Sequence, residues 1–515
     1  MGIKQLAWFC ALAVTGVAQA AGPSRSEVLV DQAVQHYRLP GIAVGVIEDG
    51  KVVQRISRGE LAVGEGRAVD PETLFKIASN TKAMTAVVLA RLVQAGKLRW
   101  DDPVTRYLPQ FRMHDPWVTR NLQVRDLLIH NSGLGLGAGD LMLWPEPNHF
   151  GRADIIAGLA HLKPTGSFRA DYAYDNLLYV VAGEVAAVAG GEPYAQLVRQ
   201  EIFEPLGMRR CLVGEWSPAT VDNIARPHYR NDGQNIAAAA DPARVEDFPS
   251  MAAGGIRCSL DDMLRWMQVL LDPAQAPGWL DETQRRALWT AHMPMPISQR
   301  QREWDNSHFS AYGYGWRLSD MDGQWKVAHT GTLSGMYSSL ALLPDRRTGV
   351  VMLINGEAED ARTALTQALL KQYTAPSNAP DVLYYAGQME QAARQRQAAG
   401  HVRPALADRK AAQPAEVADA LGVWRDPWFG EVRLCATGGG VAFASVKSPT
   451  LQGPVMRSGT QWFVAFRDLG EDADAWLEFS GDAAHPVMRM RAIDPEIDFS
   501  YDYQDLEFHR VGACP

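Results

Sequence analysis

The feature that constrains this chain most is a serine followed three residues later by a lysine, at the start of an apolar helical pattern. Ser79 and Lys82 are the only such pair in the sequence. The apolar spacing after them places Ser79 near a helix N-terminus and Lys82 on the same face one turn later. A desolvated amine there can take the serine proton, and the N–H groups of the first turn face any oxyanion. Taken alone, the tetrapeptide favours an N-capping serine followed by a solvated lysine. The rest of the chain decides between this interpretation and a catalytic pair.

The composition is that of a globular protein long enough for two or three domains. The 515 residues are 47% hydrophobic and 21% charged, with a formal net charge of -9. This charge, and the lack of a Lys/Arg block, argue against a nucleic-acid partner. Neither a His-Glu-x-x-His nor a Cys-x-x-Cys pattern occurs, so the sequence gives no reason to expect a metal or another cofactor.

The first twenty residues have the features of an export signal. Lys4 supplies a positive charge, residues 6–17 an apolar core, and Ala18-Gln19-Ala20 a cleavage pattern. The apolar run is too short to span a bilayer, so we expect no transmembrane anchor. We expect a periplasmic or secreted protein whose mature chain starts near Ala21.

Four cysteines follow this segment: Cys211, Cys258, Cys435 and Cys514. Export permits disulfides, and Cys435 and Cys514 lie in the same C-terminal segment. The sequence leaves this pair open between a disulfide and two free thiols.

The periodicity of the first two thirds predicts an α+β fold, an α/β/α antiparallel sheet flanked by helices with a helical subdomain. A helix over 26–37 precedes a hairpin of strands 42–47 and 51–57, joined at Asp49-Gly50. Further helices are predicted over 124–134, 176–188, 261–271 and 361–373, and further strands over 311–318, 326–329, 336–343 and 350–355.

Beyond residue 374 the composition changes twice. Residues 375–415 are rich in Ala, Gln, Arg and Pro and are expected to form a linker, helical over 381–398. Residues 416–515 carry closely spaced strand patterns, which predict a C-terminal all-β barrel. These patterns lie at 431–434, 441–444, 462–466, 476–479, 487–493 and 506–509. The predicted domains are a signal peptide (1–20), a catalytic domain (21–374), the linker (375–415) and the barrel (416–515).

A tyrosine and an asparagine before a predicted helix are candidate partners for Ser79. Tyr174 can relay the serine proton to a leaving group if nearby cations lower its pKa. Asn176 can orient Lys82 and bind a substrate amide. A second Tyr-x-Asn, at 229–231, is a rival, but no defined helix follows it.

A third motif, His329-Thr330-Gly331-Thr332, ends a predicted strand. Gly331 lets a ligand lie close to the backbone, and the Thr332 N–H is a candidate oxyanion donor. A single histidine at a strand end is more often structural than catalytic.

In their order, Ser79-x-x-Lys82, Tyr174-x-Asn176 and His329-Thr330-Gly331 resemble the serine β-lactamase/penicillin-binding-protein superfamily. More narrowly, they look like class C β-lactamase-related hydrolases of the peptidase S12 type. Segments 74–79, 125–134, 253–256 and 312–316 match that family as well. The resemblance covers roughly 26–374, and the segment from 422 to 506 is similar to the lipocalin-like domain of some S12-type peptidases.

The resemblance implies roles for the motif residues. Ser79 would be the acylated nucleophile, with Lys82 and Tyr174 sharing general-base and general-acid work. Backbone N–H groups of Ser79 and Thr332 would form the oxyanion hole. The implied substrate-binding residues are Asn176, His329, Thr330, Gly331 and Thr332.

His329 departs from the Lys-Thr-Gly that many β-lactamases and DD-peptidases carry. Histidine is mostly neutral at pH 7, which weakens the case for β-lactam hydrolysis and suits the peptidase and esterase branches. We therefore expect an exported serine hydrolase acting on D-amino-acid-containing peptides or amides, or on small esters. A β-lactamase or DD-carboxypeptidase is the alternative, and a non-catalytic penicillin-binding-like sensor or ligand-binding protein is an alternative of another class. The natural substrate, the role of the barrel and homo-oligomer formation stay open.

Overall fold

The structure is a computed structural model that describes residues 22–245, 248–400, 406, 409–482 and 484–515. The predicted signal peptide, residues 1–20, lies outside the described residues. No helix in the described ranges is long and apolar enough to cross a bilayer.

An eight-stranded antiparallel sheet forms the centre of the first unit, which confirms the predicted α+β class. Side chains alternate between its two faces. Ile42, Val44 and Val46 pack into one apolar cluster, whereas Ala43 and Ile47 pack into another. The strands in spatial order are Lys51–Gly59, Gly41–Glu48, Thr348–Ile354, Met336–Leu343, Gln324–Leu333, Arg317–Met321, Ser310–Tyr312 and Met293–Pro294.

Helices cover both faces of this sheet. On one face Arg25–Tyr37 and Glu359–Thr374 lie side by side, and Val382–Ala398 packs on them through Tyr385 and Met389. On the other face Leu260–Leu271 lies against the central strands. The other α-helices are Thr81–Gln94, Pro116–Asn121, Arg152–Gly158, Leu177–Gly190, Tyr194–Val198, Glu204–Leu206, Met251–Gly254, Glu282–Leu288 and Gln299–Trp304.

A long helical insert separates the first hairpin from the rest of the sheet. Its central helix, Thr81–Gln94, is buried on nearly all sides, which explains the apolar residues around its whole circumference. Leu177–Gly190 packs beside it and ends where Gly191 adopts a φ of 79°, a left-handed conformation that glycine takes readily. A disulfide between Cys211 and Cys258 crosses the insert.

Two predicted elements of the first unit are wrong in detail. The helix expected over 124–134 is a single 3₁₀ segment, Val124–Leu128, because His130 takes a φ of 58° that no helix allows. The strand expected over 311–318 is two strands separated by a turn. Gly315 in that turn has a φ of 76°, and a Cβ there would lie 2.6 Å from the carbonyl oxygen of Lys82.

The C-terminal residues form the predicted barrel. Eight antiparallel strands close on themselves, and the short strand Lys410–Ala411 pairs with one end of the barrel strand Gln452–Ser458. A disulfide joins Cys435 to Cys514, which decides the alternative that the sequence left open. In order around the barrel the strands are Gln452–Ser458, Gly440–Ser445, Gly430–Thr437, Gly422–Asp426, Glu507–Gly512, Pro486–Ala492, Ala475–Gly481 and Gln461–Val464.

Candidate active site

Ser79 lies in a 3₁₀ turn, Ala78–Asn80, that continues directly into the helix Thr81–Gln94. Ala78 has a φ of 49°, in the left-handed region that a residue with a Cβ rarely adopts. The Asn80 side chain donates to the Ser338 hydroxyl at 2.7 Å and so ties the turn to the sheet. Ser79 is partly exposed, so its hydroxyl can be reached from solvent.

The Lys82 amine is held against this hydroxyl. Its Nζ lies 3.1 Å from Ser79 Oγ and donates to Asn176 Oδ1 at 2.7 Å and to the Ala253 carbonyl oxygen at 2.9 Å. The side chain is 0% exposed, and this burial lowers the pKa of Lys82 to about 7, although the Asp140 charge acts against the shift. When the neutral amine donates to Asn176 and Ala253, its lone pair is left for the Ser79 proton.

The Tyr174 phenol completes this group. Lys82 Nζ lies 4.9 Å from the centre of the Tyr174 ring. Burial raises the pKa of Tyr174 to about 12, while the Arg317 charge and a hydrogen bond with Ser79 act in the opposite direction. The phenol is therefore protonated at neutral pH and can donate a proton. The rival Tyr229 is 43% exposed, in a separate two-stranded hairpin.

Gly331 brings the third motif against the nucleophile. A Cβ at this position would lie 2.2 Å from the Ile77 carbonyl oxygen and 2.4 Å from Ser338 Oγ. Only glycine therefore lets the strand Gln324–Leu333 approach the turn that carries Ser79. The backbone of the following residues is placed next to the nucleophile as a result.

His329 is a buried, neutral side chain in this structure. Its Nδ1 faces the Thr330 carbonyl oxygen at 2.7 Å, so Nδ1 carries the proton. Its Nε2 accepts from the Tyr312 hydroxyl at 2.8 Å. Burial, together with the charges of Arg317 and Lys82, lowers the pKa of His329 well below its ordinary value. The third motif therefore contributes no charge of its own at pH 7.

A cation nevertheless lies beside the third motif, from the neighbouring strand. Arg317 pairs with Ala328, the residue before His329, and its Nη1 donates to Thr330 Oγ1 at 3.0 Å. Its guanidinium lies 5.7 Å from the centre of the Tyr174 ring. Among the described residues, tyrosines are the side chains that raise its pKa, and no carboxylate forms an ion pair with it. The site thus holds a positive charge without a negative partner.

Thr332 is held by a second arginine. Arg362, on the helix Glu359–Thr374, donates to Thr332 Oγ1 at 2.7 Å and to the Gly331 carbonyl oxygen at 2.8 Å. These bonds fix the backbone of the strand end, where the Thr332 N–H is the expected oxyanion donor.

The barrel reaches the site through one loop. The Phe499 ring packs edge-on against Tyr174, with 5.9 Å between ring centres. Beside it a cavity of 380 Å³ opens between Phe499, Asp498 and Leu136. The described residues contain no group of His, Cys, Asp or Glu side chains that could hold a metal ion.

The family model described as Beta-lactamase matches residues 27–373. The chain belongs to this family. The resemblance to the serine β-lactamase/penicillin-binding-protein superfamily is thereby confirmed, and the family is one of β-lactamase-fold serine hydrolases.

Two relatives and one solved structure show how far the similarity extends. An unguisins hydrolase of Aspergillus campestris is 27% identical over 358 residues, which is 66% of this chain and 64%, a little under two thirds, of that protein. Esterase EstB of Burkholderia gladioli is 29% identical over 391 residues, covering 67% of this chain and 93% of EstB. The octameric penicillin-binding protein homologue from Pyrococcus abyssi is 18% identical, with a TM-score of 0.59 over 94% of this chain and 99% of that one. This last match shows a shared fold.

Sequence reasoning did not find all of the residues in the site. Arg317 directly follows the family-like segment 312–316, so its position in the sequence was an available signal. Asp140 directly follows a glycine-rich run over 133–139, which was a weaker signal. Arg362, Phe499 and Ser500 carry no motif, and only the tertiary fold brings them to the site.

Proposed function

We propose that this protein forms an acyl-enzyme on Ser79. The observation that carries the proposal is the Lys82 amine, which is buried, has a pKa of about 7 and lies 3.1 Å from Ser79 Oγ. A general base works best when its pKa lies near the working pH, and this amine meets that condition. The expected substrates are peptides or amides that contain D-residues, or small esters.

In the proposed acylation, neutral Lys82 accepts the Ser79 proton as Oγ bonds to the substrate carbonyl carbon. The oxygen of that carbonyl takes the electron pair and accepts hydrogen bonds from the backbone N–H groups of Ser79 and Thr332. When the C–N or C–O bond breaks, Tyr174 gives its proton to the leaving group and regains one from the Lys82 ammonium. Water then adds to the ester, which releases the acid product and restores the serine hydroxyl.

A substrate panel tests this proposal. We expect turnover of at least one class among D-amino-acid amides, D,D-dipeptides, nitrophenyl esters and nitrocefin. Ser79→Ala should abolish that turnover. Equal turnover by Ser79→Ala would contradict the proposed nucleophile, and a wild-type protein that binds these compounds without turnover would favour the ligand-binding alternative.

Arg317 favours a second candidate, a DD-carboxypeptidase. Its guanidinium is anchored on Thr330 and has no carboxylate partner among the described residues. A buried or partly buried cation is costly without an anion, and the C-terminal carboxylate of a peptide would supply one. The neutral His329 offers no positive charge for this carboxylate, so Arg317 would take the role of the lysine in the usual third motif.

Two substrates that differ in one group separate these candidates. For a peptide ending in D-Ala-D-Ala, Arg317→Gln should lower kcat/KM about 30-fold, as expected for a lost charge-assisted hydrogen bond. For the same peptide with a C-terminal amide, the change should stay within about threefold. Arg346→Gln, on an exposed turn, is the matched control. Equal losses on both peptides would contradict carboxylate recognition by Arg317.

We also propose that the chain is exported. The signal-like segment at 1–20 and the two disulfides, Cys211–Cys258 and Cys435–Cys514, support this location. Periplasmic or secreted protein should begin near Ala21 by N-terminal sequencing, and protein retained in the cytoplasm with Met1 would contradict export. We also propose that the domain boundaries lie at residues 374 and 415 and that the chain forms a homo-oligomer.

A further inference from the structure

A buried hydrogen-bonded chain runs from the active-site lysine into the barrel. The Asn176 amide accepts from Lys82 through Oδ1 and donates to Asp140 Oδ2 through Nδ2, both at 2.7 Å. Ser500 Oγ, on the barrel loop, donates to the same Asp140 oxygen at 2.9 Å. Asp140 is 0% exposed and Asn176 is 3% exposed. Four side chains from the two units therefore form one continuous chain that ends at the proposed general base.

The loop before Asp140 is shaped to receive the barrel. Gly137 and Gly139 have φ values of 70° and 78°. A Cβ on Gly137 would lie 2.6 Å from the Phe499 carbonyl oxygen, and the Gly139 N–H donates to Asp502. A larger residue at position 137 would hold the barrel away, so the contact between Asp140 and Ser500 depends on Gly137.

The orientation of the Asn176 side-chain amide decides whether its oxygen or its NH₂ group faces the Lys82 amine. The two ends of an amide are nearly equal in size, so its partners set which end points where. Asp140 Oδ2 is an acceptor and selects the NH₂ end, which turns the carbonyl oxygen towards Lys82. A reversed amide would place its N–H groups opposite those of the lysine. The amine would then lose one of its two fixed hydrogen-bond acceptors, and its lone pair would no longer be directed at Ser79.

We infer that Asp140 is a positioning residue for Lys82 and that Ser500 of the barrel holds Asp140 in place. This inference rests on the proposed role of Lys82. It gives the barrel a part in catalysis. Burial raises the pKa of Asp140 well above its ordinary value, against the effects of Asn176, Ser500 and Lys82. The carboxyls that face it, Asp175 and Asp502, disfavour its charge as well.

The test measures acylation of Ser79 by a fluorescent penicillin between pH 5 and 9, using the full-length protein. For Asp140→Ala we expect a plateau rate about 100-fold lower, the scale of a lost general base. The acidic limb of its pH–rate profile should move to lower pH. Protonated Lys82 loses the fixed Asn176 acceptor, so the pKa of the amine falls. Asp140→Asn keeps an acceptor in place, so its plateau rate should stay within about fivefold of wild type. Its acidic limb should move to lower pH less than that of Asp140→Ala, because it loses only the Asp140 charge that raises the pKa of Lys82 and keeps the Asn176 acceptor. Ser500→Ala should lose about three- to tenfold.

Asp154→Ala is the matched control. Asp154 forms an ion pair with Lys447 of the barrel at 2.6 Å, on the surface and away from Ser79. Its removal weakens a contact between the two units but should leave the acylation rate unchanged. Thermal melting shows which variants fold, and if Asp140→Ala does not fold, the rates of Asp140→Asn and Ser500→Ala decide.

The outcomes separate this inference from the proposed function. A wild-type protein that neither the penicillin nor a fluorophosphonate labels on Ser79 would overturn both. A labelled wild type with Asp140→Ala within twofold in rate, and with the same acidic limb, would overturn the positioning role alone. Equal losses in Asp140→Ala and Asp140→Asn, or an unchanged rate in Ser500→Ala, would also overturn it.

Discussion

The rate of Ser79 acylation should rise with pH and level off at about pH 8. Burial lowers the pKa of Lys82 to about 7, and only the neutral amine can accept the serine proton. About half of the amine is then neutral at pH 7 and about 1% at pH 5, whereas an ordinary lysine would be about 0.04% neutral at pH 7. We therefore expect acylation about 50-fold slower at pH 5 than at pH 7, with a slope of one decade per pH unit below pH 6.

Stopped-flow measurement of fluorescent-penicillin labelling gives this profile directly. Lys82→Met should lose at least about 100-fold at pH 7 and should no longer show the acidic limb. Lys97→Met removes an exposed lysine and should reproduce the wild-type profile. A limb near pH 10, or a rate that does not change between pH 5 and 8, would refute the assignment of Lys82 as the base.

Three further substitutions test other parts of the site and fold. Tyr174→Phe should slow turnover about 100-fold without loss of thermal stability, and an unchanged kcat would contradict its role as proton donor. Gly331→Ala should lower stability by about 1–3 kcal/mol and prevent labelling of Ser79, because its Cβ would lie 2.2 Å from the Ile77 carbonyl oxygen. Normal labelling of this variant would contradict the close packing. The Cys435–Cys514 disulfide joins positions 79 residues apart, so the double change Cys435→Ser and Cys514→Ser should lower the free energy of unfolding by about 4 kcal/mol in denaturant unfolding. An unchanged unfolding midpoint would show that the disulfide contributes no stability.

Elements with a clear period could be predicted from the sequence. The first hairpin and the helix Leu260–Leu271 were readable because apolar residues recur at the strand or helix period between turn and cap residues. The barrel strand Gln452–Ser458 was not, since Gly453 and Pro454 lower strand propensity. The structure gives the reason for the glycine: a Cβ on Gly453 would lie 2.0 Å from the Ala465 carbonyl oxygen.

The same distinction holds within the site. Ser79 and Lys82 could be paired because three residues on a helix fix their relative position. The contact between Asp140 and Ser500 joins residues 360 positions apart, and neither residue lies in a periodic pattern. Arg317 is an intermediate case: it directly follows the family-like segment 312–316, but its contact with Thr330 depends on the pairing between neighbouring strands. Polar contacts of this kind depend on the whole fold.

The most direct test of this account is the site of covalent modification. The protein is treated with a fluorophosphonate or a penicillin, digested with trypsin and analysed by mass spectrometry. We predict that the added mass lies on the peptide of residues 77–82, on Ser79, and is absent in Ser79→Ala. An adduct on another residue, or equal labelling of Ser79→Ala, would contradict the central claim that Ser79 is the nucleophile.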